Sequence, residues 1–332
     1  MKSKYFCTLA ALFITVLSLL TGCGLNFTIK DPVPSTITYD SQGATPATLT
    51  IVDGRTGMDS HFLLGQIGTG AAMSERSLVK FSNVEDPLVF LATNLEKEMT
   101  GRQIPVRCIV AKNKTDGLTL TVHRYQIASI RATSFSPWEA LHIFSGTLSD
   151  GGKKTMIKSY FYNGKVPVWS MDEILDPCFN IPMSVMIKDI ASKINQAAFR
   201  LSASDQKVAA LSEQINGRIS GKDYTDFWKV LELGYSNNPR AVEQLKKFAQ
   251  TGDEFFKACA VSSIGTLGAA GELEFLKKAY TDGWYNDRYM ALKAIGDLGT
   301  VESLQVLNNV KSDARYEKEG GIKYCVDLYL QQ

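Results

Sequence analysis

Histidine is scarce: His61, His123 and His142 are the three in 332 residues. Asp59, Ser60 and His61 are triad residue types, but adjacency in sequence does not create triad geometry. No Gly-x-Ser-x-Gly elbow surrounds any serine. The six cysteines include no pair at a short metal-type spacing. His123 and His142 fall in expected strands, where they can face each other across a sheet. Without a nearby Cys or paired carboxylate they make a poor metal site. Residues 146–155 contain Gly and Lys-Lys-Thr, yet Thr147 stands five before Gly152 and two lysines precede Thr155, so phosphate-loop spacing is missing. An excess of one charge is missing too: Lys and Arg number 36 against 34 Asp and Glu, a formal +2, which advertises no nucleic-acid surface. Hydrophobic residues at 45% and charged residues at 21% exclude intrinsic disorder and a multi-spanning membrane protein. This reading predicts no catalytic residues, no cofactor and no metal.

What is present begins at the N-terminus. Lys2 and Lys4 precede an apolar run from Phe6 to Leu20, which ends at Thr21-Gly22-Cys23. A positive start, a short apolar core and small residues at the cut mark a secretory signal. The run is short of the roughly 20 apolar residues that a spanning helix needs. The junction Leu20-Thr21-Gly22-Cys23 resembles the bacterial lipobox. That resemblance implies cleavage after residue 22, a diacylglyceryl group on Cys23 and, with Gly24 in place of Asp, an outer-membrane destination with the body facing the periplasm. Two or three acyl chains give stable residence at a bilayer, where one gives marginal binding. Removing residues 1–22 takes two lysines and no acids, leaving 34 basic and 34 acidic groups. Of the remaining cysteines, Cys259 and Cys325 sit in apolar helix contexts that predict buried thiols. The oxidising compartment also permits disulfides with Cys108 and Cys178, and their pairing stays open.

Residues 23–47 carry the lipid site and a Pro-, Ser- and Thr-rich stretch that reads as a flexible tether. From Thr48 the apolar period is near two. Strands are expected at 49–52, 61–67, 106–111, 118–131, 141–148 and 155–162, with a Gly151-Gly152 hairpin turn. Asp86-Pro87 opens a helix carrying Leu88, Leu91, Leu95 and Met99. Two more helices are expected at 183–199 and 204–215. The fold class is α+β, an antiparallel sheet with helices on one face, followed by an all-α repeat domain. Thr50-Ile51-Val52-Asp53-Gly54-Arg55 and Leu95-Glu96-Lys97-Glu98-Met99-Thr100-Gly101 resemble the YajG-type outer-membrane lipoproteins, which implies the same location and fold for the domain at 48–218 and carries over no activity.

Residues 222–332 repeat at 31-residue spacing. Val230, Val261 and Leu292 align, as do Leu233, Ile264 and Ile295, then Gly234, Gly265 and Gly296, then Leu245, Leu276 and Leu307. The stretches 258–279 and 289–310 resemble short bacterial HEAT-like repeats, with 322–329 as a capping helix. In the first block Asn237 replaces the turn glycine found at Gly268 and Gly299, which predicts a different turn there. Repeats of this kind bury their apolar faces only against one another. The segment between the second and third blocks concentrates aromatics: Trp284, Tyr285 and Arg288 are residue types enriched at binding hot spots. An opposing reading packs Trp284 and Tyr289 into the core between repeats and bonds Arg288 to a neighbouring loop. Lys246-Lys247 and Lys277-Lys278 read as a solvated face, because residues 222–332 carry 14 basic and 16 acidic groups. The functional expectation is a non-enzymatic, lipid-anchored envelope protein whose array binds another envelope protein. The alternative is an auxiliary subunit of an envelope lipid or glycan transport system, with the α+β domain handling an amphiphile.

Overall fold

The computed structural model describes residues 25–41, 45–56, 66–69, 76–131, 136–220, 227–251 and 253–331. The fold is α+β followed by helices. Strands are β1 (Leu25–Phe27), β2 (Ala47–Asp53), β3 (Gln66–Thr69), β4 (Arg76–Phe81), β5 (Val106–Ala111), β6 (Thr119–Arg131), β7 (Trp138–Asp150) and β8 (Lys153–Lys165). The long strands β6, β7 and β8 form an antiparallel meander. The β7–β8 hairpin turns on Gly151 and Gly152, both at positive φ (52° and 90°), as a tight hairpin of right-handed twist requires. The sheet is mixed where an antiparallel one was expected: β2 runs parallel to both β5 and β6, and β3 also runs parallel to β6. The cause is the helix α1 (Pro87–Gly101), which crosses between the β2 side of the sheet and β5; a parallel pair needs such a crossover. Asp86 caps α1 by accepting from the Leu88 and Val89 N–H groups, and Leu88, Leu91, Leu95 and Met99 are buried as the spacing predicts. The free edge of β5 is partly closed, since the Glu96 carboxylate accepts the Cys108 N–H at 2.7 Å.

After β8 the chain passes through a 3-10 turn and a π-helical turn into α2 (Ile181–Ile194), then α3 (Asp205–Ser220). Helix α2 lies beside α1 and against β8. The C-terminal part consists of helix pairs: α4 (Trp228–Tyr235) with α5 (Ala241–Thr251), α6 (Glu254–Thr266) with α7 (Leu273–Asp282), and α8 (Tyr285–Leu298) with α9 (Val301–Val310). The chain closes with α10 (Ala314–Lys318) and α11 (Gly320–Leu330). All aligned Val, Leu and Ile positions of the repeat are buried, each worth roughly 1.5–3 kcal/mol. The aligned glycines lie inside α4, α6 and α8, where successive first helices touch. A Cβ on Gly265 would stand 2.2 Å from the Ala294 Cα, and one on Gly234 2.6 Å from the Ser263 Cβ. Asn237 does not alter the first turn: its φ of 51° matches the 67° of Gly268 and 62° of Gly299, because Asn tolerates the left-handed region.

Two further corrections concern the domain plan. Residues 25–41 are not a free tether. They form a strap in which Phe27, Ile29, Ile37 and Tyr39 are buried, an apolar alternation masked in the sequence by the surrounding Pro, Ser and Thr. The Tyr39 hydroxyl donates to the Tyr235 carbonyl at 2.6 Å, and the Ser35 N–H donates to Glu98 at 3.0 Å. The second correction is that one hydrophobic core runs through both expected domains. The chain boundary near residue 220 therefore does not separate two independent cores. Among the described residues, no helix is long and apolar enough to cross a membrane.

Candidate functional site

Two buried ionic clusters hold the two halves in one arrangement. On α2, Asp189 accepts from Lys193 (2.8 Å), one turn on, and from Lys293 (3.2 Å) of α8. On α8, Asp297 accepts from Lys293 (2.6 Å) and from Lys193 (2.6 Å). Tyr329 of α11 donates to Asp297 at 2.5 Å, and Thr266 of α6 donates to Asp189 at 3.2 Å. Two lysines and two aspartates cancel. Burial opposes the charge on Asp189, yet Lys193 and Lys293 hold its pKa well below the ordinary carboxylate range. Beside this network lies a cleft of about 400 Å³ between β8 and the first helices, lined by Lys158, Lys193, Gln196, Thr266, Asp297 and Tyr329. The second cluster centres on Arg102, which is fully buried and pairs with Glu98 at 2.6 Å. Its guanidinium also reaches the Tyr39 hydroxyl and the Lys188 carbonyl, and sits 4.7 Å from the Tyr235 ring. Sequence reading missed both clusters. The available signal was a lysine at the core-facing position 293 of an Ala-, Leu- and Ile-rich helix, with Asp at i+4.

The expected partner-binding residues separate. Trp284 is 73% exposed at the N-terminal end of α8. Arg288 is half-buried and serves the fold: it bonds Glu319 at 3.3 Å and the Gly283 carbonyl at 3.4 Å. Tyr289 is buried edge-on against Tyr162 of β8, with ring centroids 4.4 Å apart, and donates to Glu319. The side chain of Tyr285 lies outside the described residues, as do Cys23 and His61. Two features frame Trp284. Asp287 lies in the first turn of α8, its Oδ1 buried without a hydrogen-bond partner among the described residues; burial, then repulsion from Glu254 of α6, pushes its carboxyl up to about 6. Next to Glu254, Phe255 is 36% exposed and stacks on Phe227 at 5.8 Å. The N-terminal ends of α6 and α8 thus present aromatic surface to solvent.

The histidines do not meet. His142 pairs in register with Ile127, while His123 sits at the bulge near Gly146. His142 is fully buried against the Cys178 carbonyl (2.7 Å), and burial pushes its pKa down to about 4. His123 bonds the Thr147 hydroxyl at 2.8 Å. Among the described residues, no group of His, Cys, Asp or Glu is arranged to hold a metal. Cys108, Cys178, Cys259 and Cys325 are all free thiols. Burial pushes Cys108 and Cys178 up to about 12, so neither is a ready nucleophile. Lys246 bridges Glu243 and Glu272, and Lys277 bonds Glu274, on the outer surface of the second helices.

No protein-family model matches the chain, and no curated protein matches it. Among solved structures, the chain is similar to an uncharacterized protein at 16% identity and TM-score 0.26, over 49% of this chain and 97% of that one. It is also similar to protein XCC0632 from Xanthomonas campestris, family DUF330, at 8% identity and TM-score 0.29, over 51% of this chain and 88% of that one. Similarity at those scores carries no argument for fold or function.

Proposed function

We propose that the protein is a non-catalytic, lipid-anchored protein of the bacterial cell envelope, carried at the outer membrane by Cys23, whose HEAT-like helical array binds another envelope protein. The observation that carries this reading is Trp284, a large aromatic left 73% exposed on an array that buried ion clusters fix to the sheet. A rigid surface with an exposed aromatic anchor loses little entropy on binding. Crosslinking of the mature lipoprotein in cells, followed by mass spectrometry, tests it. Trp284→Ala is expected to lose one crosslinked partner while folding is unchanged; retention of every partner refutes the assignment of this surface. Labelled palmitate incorporation, abolished by Cys23→Ala, tests the anchor. An amphiphile-handling transport subunit needs an apolar cavity in the α+β part. The cleft beside β8 mixes Lys158, Lys193 and Asp297 with Met156, Ile157, Ala197 and Leu304 and lies between the sheet and the helices, so it is not an apolar cavity inside the α+β part.

A further inference from the structure

We infer that one pole of the molecule, where β1 begins and β8 ends, rests on the phospholipid bilayer, with Trp169 seated among the headgroups. The inference rests on the lipid-anchor reading for one of its two supports and stands on exposed side chains for the other.

The first support is chain length. A single residue, Gly24, separates Cys23 from Leu25, the first residue of β1. Two Cα steps span at most about 7 Å. Beyond Leu25 there is no slack, because the strap is bonded at every stage. Phe27 accepts from the Ser82 N–H, Lys30 N–H donates to Asn180, and Tyr39 N–H donates to the Arg102 carbonyl. A lipid on Cys23 therefore brings the start of β1 to the membrane surface.

The second support is what shares that pole. Register and strand direction carry this end across the sheet. Leu25 pairs with Val79 of β4, next to Leu78, which pairs with Gln66 of β3, and Gln66 pairs with Ala128 of β6. Ala128 pairs with Leu141 of β7 and Leu141 with Tyr162 of β8, so Leu25 stands about four residues short of Lys165, and the chain enters β1 from the end at which β6 and β8 finish and β7 starts. The residues that follow Lys165 include Val166, 56% exposed, and Trp169, 83% exposed. Helix α8 runs antiparallel to β8, with Tyr289 against Tyr162 and Asp297 bonded to Lys193, itself bonded to the Lys158 carbonyl. Its N-terminal end, with Trp284, therefore lies at this same pole. Exposed Trp beside Val and Lys is the side-chain mixture that settles at a headgroup interface. A partner taken up at Trp284 would accordingly be met at the membrane surface.

The opposite pole is the Gly151-Gly152 hairpin. Lys153 and Val166 are separated by thirteen strand steps, roughly 40 Å. The test uses the full lipoprotein in vesicles of phosphatidylethanolamine and phosphatidylglycerol containing brominated lipid. A fluorophore is placed on Val166→Cys or on Lys153→Cys. Quenching is expected to be at least threefold stronger at position 166 than at 153, and Trp169→Asp is expected to halve it at 166 with circular dichroism unchanged. Equal quenching at the two positions, or stronger quenching at 153, overturns the inference. The same pair is measured on a chain whose first 23 residues are replaced by hexahistidine, held by a nickel-chelating lipid. If palmitate is not incorporated but the 166 preference persists there, the anchor falls and the pole stands. If palmitate is incorporated and 166 is not quenched, the pole falls and the anchor stands.

Discussion

Replacing Lys293 with Met tests whether the buried charges are what unite the sheet with the helical array. Lys293 is 1% exposed and gives hydrogen bonds to Asp189, Asp297 and Thr266. Met keeps its length and apolar stem, so little volume is lost. What remains is two buried aspartates facing one ammonium, that of Lys193, and hence one stranded negative charge. Breaking a buried pair from one side costs about 3–5 kcal/mol, against a total stability of about 5–15 kcal/mol for a domain. Urea unfolding followed by circular dichroism would register this as a fall in midpoint. The double variant Lys293→Met, Asp297→Asn removes the stranded charge and is expected to recover part of the loss, giving a coupling of about 1–3 kcal/mol between neighbours. The pH dependence gives a separate check. Because the pKa of Asp189 is depressed in the fold, its contribution is present above the unfolded value near 4 and is lost as pH falls below it. In Lys293→Met that acid-side loss is expected to shrink, since one of the two ammonium groups holding Asp189 ionised is gone. A single variant within about 1 kcal/mol of the parent, with an unchanged acid limb, would refute the interlock.

Other outcomes follow from the same packing. Asp287 has a raised pKa in the fold, to about 6, so its contribution to stability is complete below the unfolded value near 4 and is lost as pH rises through 6. Asp287→Asn keeps the side chain's size while removing its charge and is expected to stabilise the protein at pH 7 by about 1–2 kcal/mol, discounted for partial solvation. The gain should vanish at pH 4; a gain independent of pH would point to another cause. Gly265→Ala inserts a Cβ into the Ala294 backbone and is expected to cost about 3 kcal/mol or more by forcing α6 and α8 apart. Gly217→Ala, with open space around it, is expected to be neutral or slightly stabilising by thermal melting. Equal effects at the two positions would contradict the close approach.

Local features were legible because they need only neighbours in sequence. The Asp86 cap, the 88–91–95–99 stripe, the Gly151-Gly152 turn and the repeat positions all follow from period and backbone preference, and their residues fall where the pattern puts them. Features that join distant segments were not legible. The strap of residues 25–41 contains tether-like Pro, Ser and Thr, and its four buried apolar residues acquire meaning only from the groove that receives them. The ionic cluster joins residues about a hundred positions apart, which no local period encodes. At the candidate surface the sequence selected Trp284, Tyr285 and Arg288 as one group by residue type. Tertiary structure divided it, leaving Trp284 in solvent and tying Arg288 to Glu319. Composition and periodicity thus indicated the long strands and most helices, because those are short-range choices. They did not indicate the short strands β1 and β4, which take their partners from distant segments, and most of the expected strand at 61–67 lies outside the described residues. Which faces are covered, which charges are buried and which aromatics remain exposed were decided by packing between segments, and on those the proposed function rests.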